Sequence, residues 1–134
     1  MTRDEAQPAW EKIVDKGFSD YGELNRNQRI WFNVEPLTTD GIIDHYVNHG
    51  AEHNADTIED LEFLGFSSIA DLMRKLNGYF PDGKPPVEID ERNAQFSKIS
   101  ESLIDEVDEA FLEESDDLEE ALLKHINDTG IGQE

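Results

Sequence analysis

Two sets of side chains in this sequence have types and spacings that could do chemistry. The first is a run of carboxylates. Between Glu101 and Glu120 stand eleven acidic residues and no basic one: Glu101, Asp105, Glu106, Asp108, Glu109, Glu113, Glu114, Asp116, Asp117, Glu119 and Glu120. The second set is histidine. His45 and His49 are four residues apart, so a helix carrying both would present them on one face as a usable bidentate pair for zinc. His53 would align with them only if the helix crossed Gly50; Asp44, Glu52 and Asp56 lie close as further oxygen ligands. There is no His-Glu-x-x-His, and no cysteine to supply thiolates or disulfides. Exposed or packed imidazoles are the simpler reading, and no metal or cofactor is expected.

Other catalytic constellations are missing from the sequence. With 32 carboxylates in the chain, chance acid–base pairs are plentiful, so no single pair is informative. No serine or threonine stands in a nucleophile elbow, and no glycine-rich phosphate loop occurs. Asp116-Asp117-Leu118-Glu119-Glu120 lacks the alternating oxygens and glycine turn of a calcium loop. Trp31, Phe32, Tyr46, Phe63, Phe66 and Phe96 read as core rather than as a ligand cage. The expectation is a protein that binds rather than an enzyme. A metal-dependent hydrolase centred on His45 and His49 is the weakest alternative.

The charge excludes more. The chain has 134 residues, 32 of them acidic and 11 basic, for a net charge of −21. An anionic surface repels phosphate, so DNA, RNA and anionic membranes are disfavoured as direct ligands. Acidity can also signal disorder. Leu, Ile, Val and Phe nevertheless make up about a quarter of the chain, above the roughly 20% floor for highly charged disordered sequences. No stretch approaches the roughly 18 apolar residues of a membrane span. The N-terminus carries no apolar run of the secretory kind. A cytoplasmic location is expected.

The elements that must position these groups read as helices almost throughout. No segment alternates apolar and polar residues as a strand would. A helix over about 4–16 carries Trp10, Ile13 and Val14, with Gly17 placed to end it. Asn25 is a good N-cap for the next helix, and Pro36 predicts its kink or end. Asp40 reads as the cap of a short helix closed by Gly50, and Asn54 as the cap of a fourth helix closed by Gly65. Ser68-Ile69-Ala70-Asp71 has the form of a capping box. Residues 79–86 hold three prolines and the turn Asp82-Gly83, an ordered loop anchored by Tyr79 and Phe80. A long helix from about Asp90 to Leu112 follows. Its stripe is Phe96, Ile99, Leu103, Val107 and Phe111. Ser115 then caps a last helix ending within 127–130, with a frayed tail beyond it.

On this reading the acidic run lies on two helices. Twenty helical residues span roughly 30 Å. That is about one charge per 2.7 Å, against about one per 1.7 Å of duplex axis. Such a run is either a solvated face that keeps the protein soluble or an anionic surface addressed to a basic partner.

Several segments, taken in order, resemble a known family. They are Leu24-Asn25-Arg26-Asn27-Gln28-Arg29, His45-Tyr46-Val47-Asn48, and Thr57-Ile58-Glu59-Asp60-Leu61-Glu62-Phe63-Leu64-Gly65. The loop Tyr79-Phe80-Pro81-Asp82-Gly83-Lys84-Pro85-Pro86 follows, and then the long helix and the acidic 115–125 segment. Together these are similar to the DNA-mimic-protein-like family of small acidic helical bacterial proteins, over about residues 23–127. Leu37-Thr38-Thr39-Asp40-Gly41-Ile42-Ile43 departs from the family's Glu-Val-Asn-Asn-Gly-Gly-Phe. The resemblance implies a helical domain. In one branch of the family it also implies a protein that occupies the DNA-recognition surface of a transcription factor.

The expectations are therefore one all-α domain, 1–134, of six or seven helices, with acidic C-terminal helices over about 91–127. Its partner would be a basic DNA-binding protein, met through Glu101, Asp105, Asp108, Glu109, Glu113, Glu114, Asp116, Asp117, Glu119 and Glu120. Each would face an Arg or Lys that otherwise contacts phosphate. A homodimer would double that surface and could match two half-sites. The alternative is an acidic interaction or immunity module without DNA mimicry.

Overall fold

The computed structural model describes residues 2–133. Seven α-helices follow one another: α1 (Arg3–Ser19), α2 (Arg26–Asp40), α3 (Ile42–Val47), α4 (Asn54–Phe63), α5 (Ser67–Asn77), α6 (Ile89–Phe96) and α7 (Glu101–Thr129). Among the described residues there is no strand, and the fold is all-α as expected. Short 3-10 turns occupy Tyr21–Glu23, His49–His53, Pro81–Gly83 and Ile131–Gln133.

The core gathers Ile30, Trp31, Val34 and Leu37 of α2 against Val107, Phe111, Leu118 and Leu122 of α7. Tyr46 of α3, Leu61 of α4, and Ile69, Met73 and Leu76 of α5 close it. The stripe of α7 stays unbroken because Val107, Phe111, Leu118 and Leu122 recur at helical spacing and are all essentially inaccessible.

Local signals hold where the chain can satisfy its own termini. Asn25 caps α2, accepting from the Gln28 backbone at 2.9 Å, while Gln28 returns a bond to Asn25. Gly65, at φ +92°, ends the turn after α4, and Gly130, at φ +72°, stops α7 in the left-handed conformation.

Several expectations need correction, each for a tertiary reason. Gly17 does not end α1, which runs on to Ser19. It lies buried where α2 crosses, and a Cβ added there would overlap the Phe32 ring. Gly17→Ala is expected to cost about 1–3 kcal/mol through overpacking, measured as a lower urea midpoint with unchanged helicity. Pro36 sits inside α2, which continues to Asp40. Asp40 is the last residue of that helix, and Gly41, at φ +92°, makes the junction to α3. Asn54 is not a cap. Its side chain is buried, donating to His45 Nε2 at 3.0 Å and accepting from Asn77 at 2.7 Å. Helix α5 starts one residue before the expected capping box, without a side-chain cap. Asp71 pairs with Arg74 at 2.8 Å instead. The segment after α7 is not frayed as far as it is described: Ile131 and Gly132 are buried against α1.

The histidine face also comes apart. Helix α3 stops at Val47, so His49 falls in the next turn, exposed beside Glu52 at 3.3 Å. His45 is buried. Among the described residues no group of three His, Asp or Glu is gathered as a metal ion would need. Burial, with smaller contributions from Arg92 and His53, pulls the His45 pKa down from 6.5 to about 3. The unfolded chain protonates this imidazole near pH 6.5, and the folded chain does so only near pH 3. The stability it contributes is therefore complete above pH 6.5 and is lost as pH falls toward 3. His45→Gln is expected to flatten the pH dependence of urea midpoints between pH 7 and 4.5. Some slope should remain from His53 and His125, whose pKa values burial also lowers.

Candidate interface on helix α7

The acidic run belongs to one helix, not two. The expected break at Ser115 does not occur: its hydroxyl donates back to the Leu112 carbonyl at 3.1 Å, inside the helix. The break lies upstream. Helix α6 ends at Phe96, and Ser100 caps α7 by accepting from the Leu103 backbone at 3.3 Å. Phe96 and Ile99 are buried in and before that turn, so they are core residues but not part of the α7 stripe. The 29 residues of α7 carry all ten predicted contact residues on one axis.

The structure divides those ten. Glu114 turns toward α5, where the Ser68 hydroxyl donates to it at 2.6 Å. Glu119 meets Arg3 Nε at 3.1 Å. The remaining eight are Glu101, Asp105, Asp108, Glu109, Glu113, Asp116, Asp117 and Glu120. None of these makes an ion pair among the described residues, and all but the half-buried Asp108 are exposed. Glu106, the eleventh acid of the run, pairs with Lys75 of α5 at 3.5 Å.

At about 100° per residue, these eight fall within an arc of about 180°. The arc is centred opposite the buried stripe of Val107, Phe111, Leu118 and Leu122. From Glu101 to Glu120 the axis advances about 28 Å, so one such carboxylate recurs on average about every 4 Å. One strand of B-DNA carries a phosphate about every 3.4 Å of axis. The helix thus approaches the linear charge density of a single strand rather than of the whole duplex. The first basic residue after Lys98 is Lys124, which is itself tied to Asp128 at 2.6 Å. Like charges at i,i+4, such as Glu101 with Asp105 and Asp105 with Glu109, cost a few tenths of a kcal/mol each. The buried stripe on the opposite face supplies the stability that tolerates them.

Sequence reasoning missed the contacts that bound this face. Arg3 is the cation at its edge, joining Glu119 to Glu35 of α2. Nothing local marks Arg3, because its partners lie more than 30 residues away along the chain. Lys75 was equally invisible for the same reason.

Comparison with known proteins adds one positive finding. A family model described as DMP19-like protein matches residues 22–129, which takes in every helix except α1. No curated protein and no solved structure matches the chain.

Proposed function

Because the chain belongs to the DMP19-like protein family, a family of DNA-mimic-like proteins, we propose that it is itself a DNA mimic. It binds the basic DNA-recognition surface of a DNA-binding protein, such as a transcription repressor, and blocks DNA binding. The observation that carries this reading is the outward arc of α7: eight carboxylates on one helix, without an ion pair among the described residues and spaced close to the phosphates of a strand. Fixed charges of one sign steer a basic partner into contact, and the same charges repel competing DNA. The protein acts by occupancy, and its own residues carry out no reaction.

The test is competition. The chain is immobilised at low salt, its basic binding proteins are eluted, and each is offered labelled operator DNA with increasing amounts of the chain. A true partner releases its DNA as the chain is added, and the complex weakens steeply as salt rises. A partner that binds the chain and DNA simultaneously would defeat the proposal.

A further inference from the structure

Helices α1, α2 and the last turns of α7 surround a cavity of about 410 Å³ that lies beside the acidic face. That volume falls in the usual range for small-ligand sites, about 300–1,000 Å³. Trp10 and Trp31 line one side, their ring centroids 5.3 Å apart. Glu35, next to Trp31, lines it as well, together with Thr39, Asp40 and Arg3.

The chemistry of this lining is selective. Two carboxylates disfavour an anion. Arg3, the one basic residue there, is already committed to Glu35, Glu119 and, at 3.0 Å, Thr38. A wholly apolar ligand would add nothing to Glu35: Oε1 takes the Arg3 guanidinium, Oε2 is buried without a full hydrogen bond among the described residues, and the Trp31 ring N–H beside the carboxylate is its other neighbouring donor. A planar cation with several in-plane donors satisfies every feature. It can fork onto both oxygens of a carboxylate and stack its face on an indole. Arg3 demonstrates the fit without completing it, because its donors are spread over three groups.

We propose that this cavity is a guanidinium site, and that it seats an arginine of the protein partner. The incoming guanidinium takes the place of Arg3 on Glu35, engages both oxygens, and stacks on Trp10. Arg3 stays with Glu119. The identification of the arginine as a partner's rests on the DNA-mimic reading; the guanidinium site itself rests on the cavity. DNA receives arginines inserted into its narrow minor groove in a comparable way, by negative charge concentrated in a cleft.

The chain has two tryptophans, and both line the cavity, so intrinsic fluorescence reports on it directly. The probes are N-acetyl-arginine amide and N-acetyl-lysine amide, titrated at constant ionic strength. The expected result is a saturable change with the arginine compound and binding on the order of tenfold weaker with the lysine compound. Glu35→Gln should weaken arginine binding by on the order of tenfold or more. Arg3→Ala should strengthen it by removing the resident competitor. If circular dichroism shows that Glu35→Gln is unfolded, Asp40→Asn serves in its place and should also weaken binding. Equal responses to the two compounds, or a folded Glu35→Gln protein that binds arginine unchanged, would overturn the proposal. A variant with Asp105, Asp108 and Asp117 changed to lysine keeps the cavity and should bind the arginine compound normally. Loss of DNA competition alone therefore bears on the mimic reading, and loss of this titration bears on the cavity.

Discussion

Changing Asp105, Asp108 and Asp117 together to lysine is expected to abolish competition with DNA. These residues span nearly two-thirds of the unpaired run, and their side chains are spread across its arc. Each reversal removes one attraction to the basic partner and adds one repulsion, so three of them change the interaction by six unit charges. At physiological ionic strength exposed charges are screened over about 8 Å, which leaves contacts across a tight interface largely effective. The expected loss of affinity is at least about 100-fold, falling mainly on association rate and salt dependence. The fold should survive. Asp105 sits four residues from both Glu101 and Glu109, so a lysine there replaces two like-charge pairs with favourable ones. The thermal midpoint should hold or rise, and unchanged circular dichroism separates lost recognition from lost structure. Full competition by this variant would remove α7 from the interface.

The largest expected effect on stability lies elsewhere, at Arg92 of α6. Its side chain is completely buried. No carboxylate pairs with it among the described residues. Its donors go instead to backbone carbonyls: Nε to Tyr46 at 2.6 Å, Nη1 to Pro86 at 2.9 Å and to Val87 at 3.0 Å, and Nη2 to Asn48. Burial lowers its pKa from the ordinary arginine value, opposed by Glu52 and Glu88. One guanidinium thus fastens the proline-rich loop and the end of α3 to α6 through four backbone carbonyls. Arg92→Met would strip four carbonyls of this donor, the Tyr46 carbonyl in a buried setting and the other three in part-buried ones. The expected cost is about 3–5 kcal/mol, a large share of the roughly 5–15 kcal/mol of a typical domain. Urea denaturation measures it. Arg92→Lys should recover only part, because one ammonium cannot span four carbonyls in two directions. A loss below 1 kcal/mol for Arg92→Met would show that water replaces the guanidinium.

Nothing in the sequence separates Arg92 from the exposed arginines. It stands in Glu91-Arg92-Asn93, a polar stretch that reads as solvated surface. Its role depends on carbonyls at positions 46, 48, 86 and 87, which come together only when α3 and the loop have folded. The same holds for Glu35, whose helix gives no sign that Arg3 will cover it.

What the sequence determined by itself is local or additive. Charge sums over residues whatever the fold, so the acidic run and its lack of bases could be counted directly. Helical periodicity placed Val107 and Phe111 on the buried face of one expected helix, and Leu118 and Leu122 on that of the next, because side-chain direction in a helix follows from residue number. The Asn25 cap and the Gly65 and Gly130 endings were legible for a similar reason: each satisfies backbone groups within a few residues. The tertiary structure decided whether such signals were used. Ser100 and Ser115 are both plausible caps by type, yet only Ser100 becomes one. Beyond Ser115 the stripe continues to pack on the core, and ending the helix there would expose Leu118 and Leu122. That packing choice puts two acidic segments on one continuous helix. It leaves Glu114 and Glu119 engaged within the molecule and eight carboxylates facing outward.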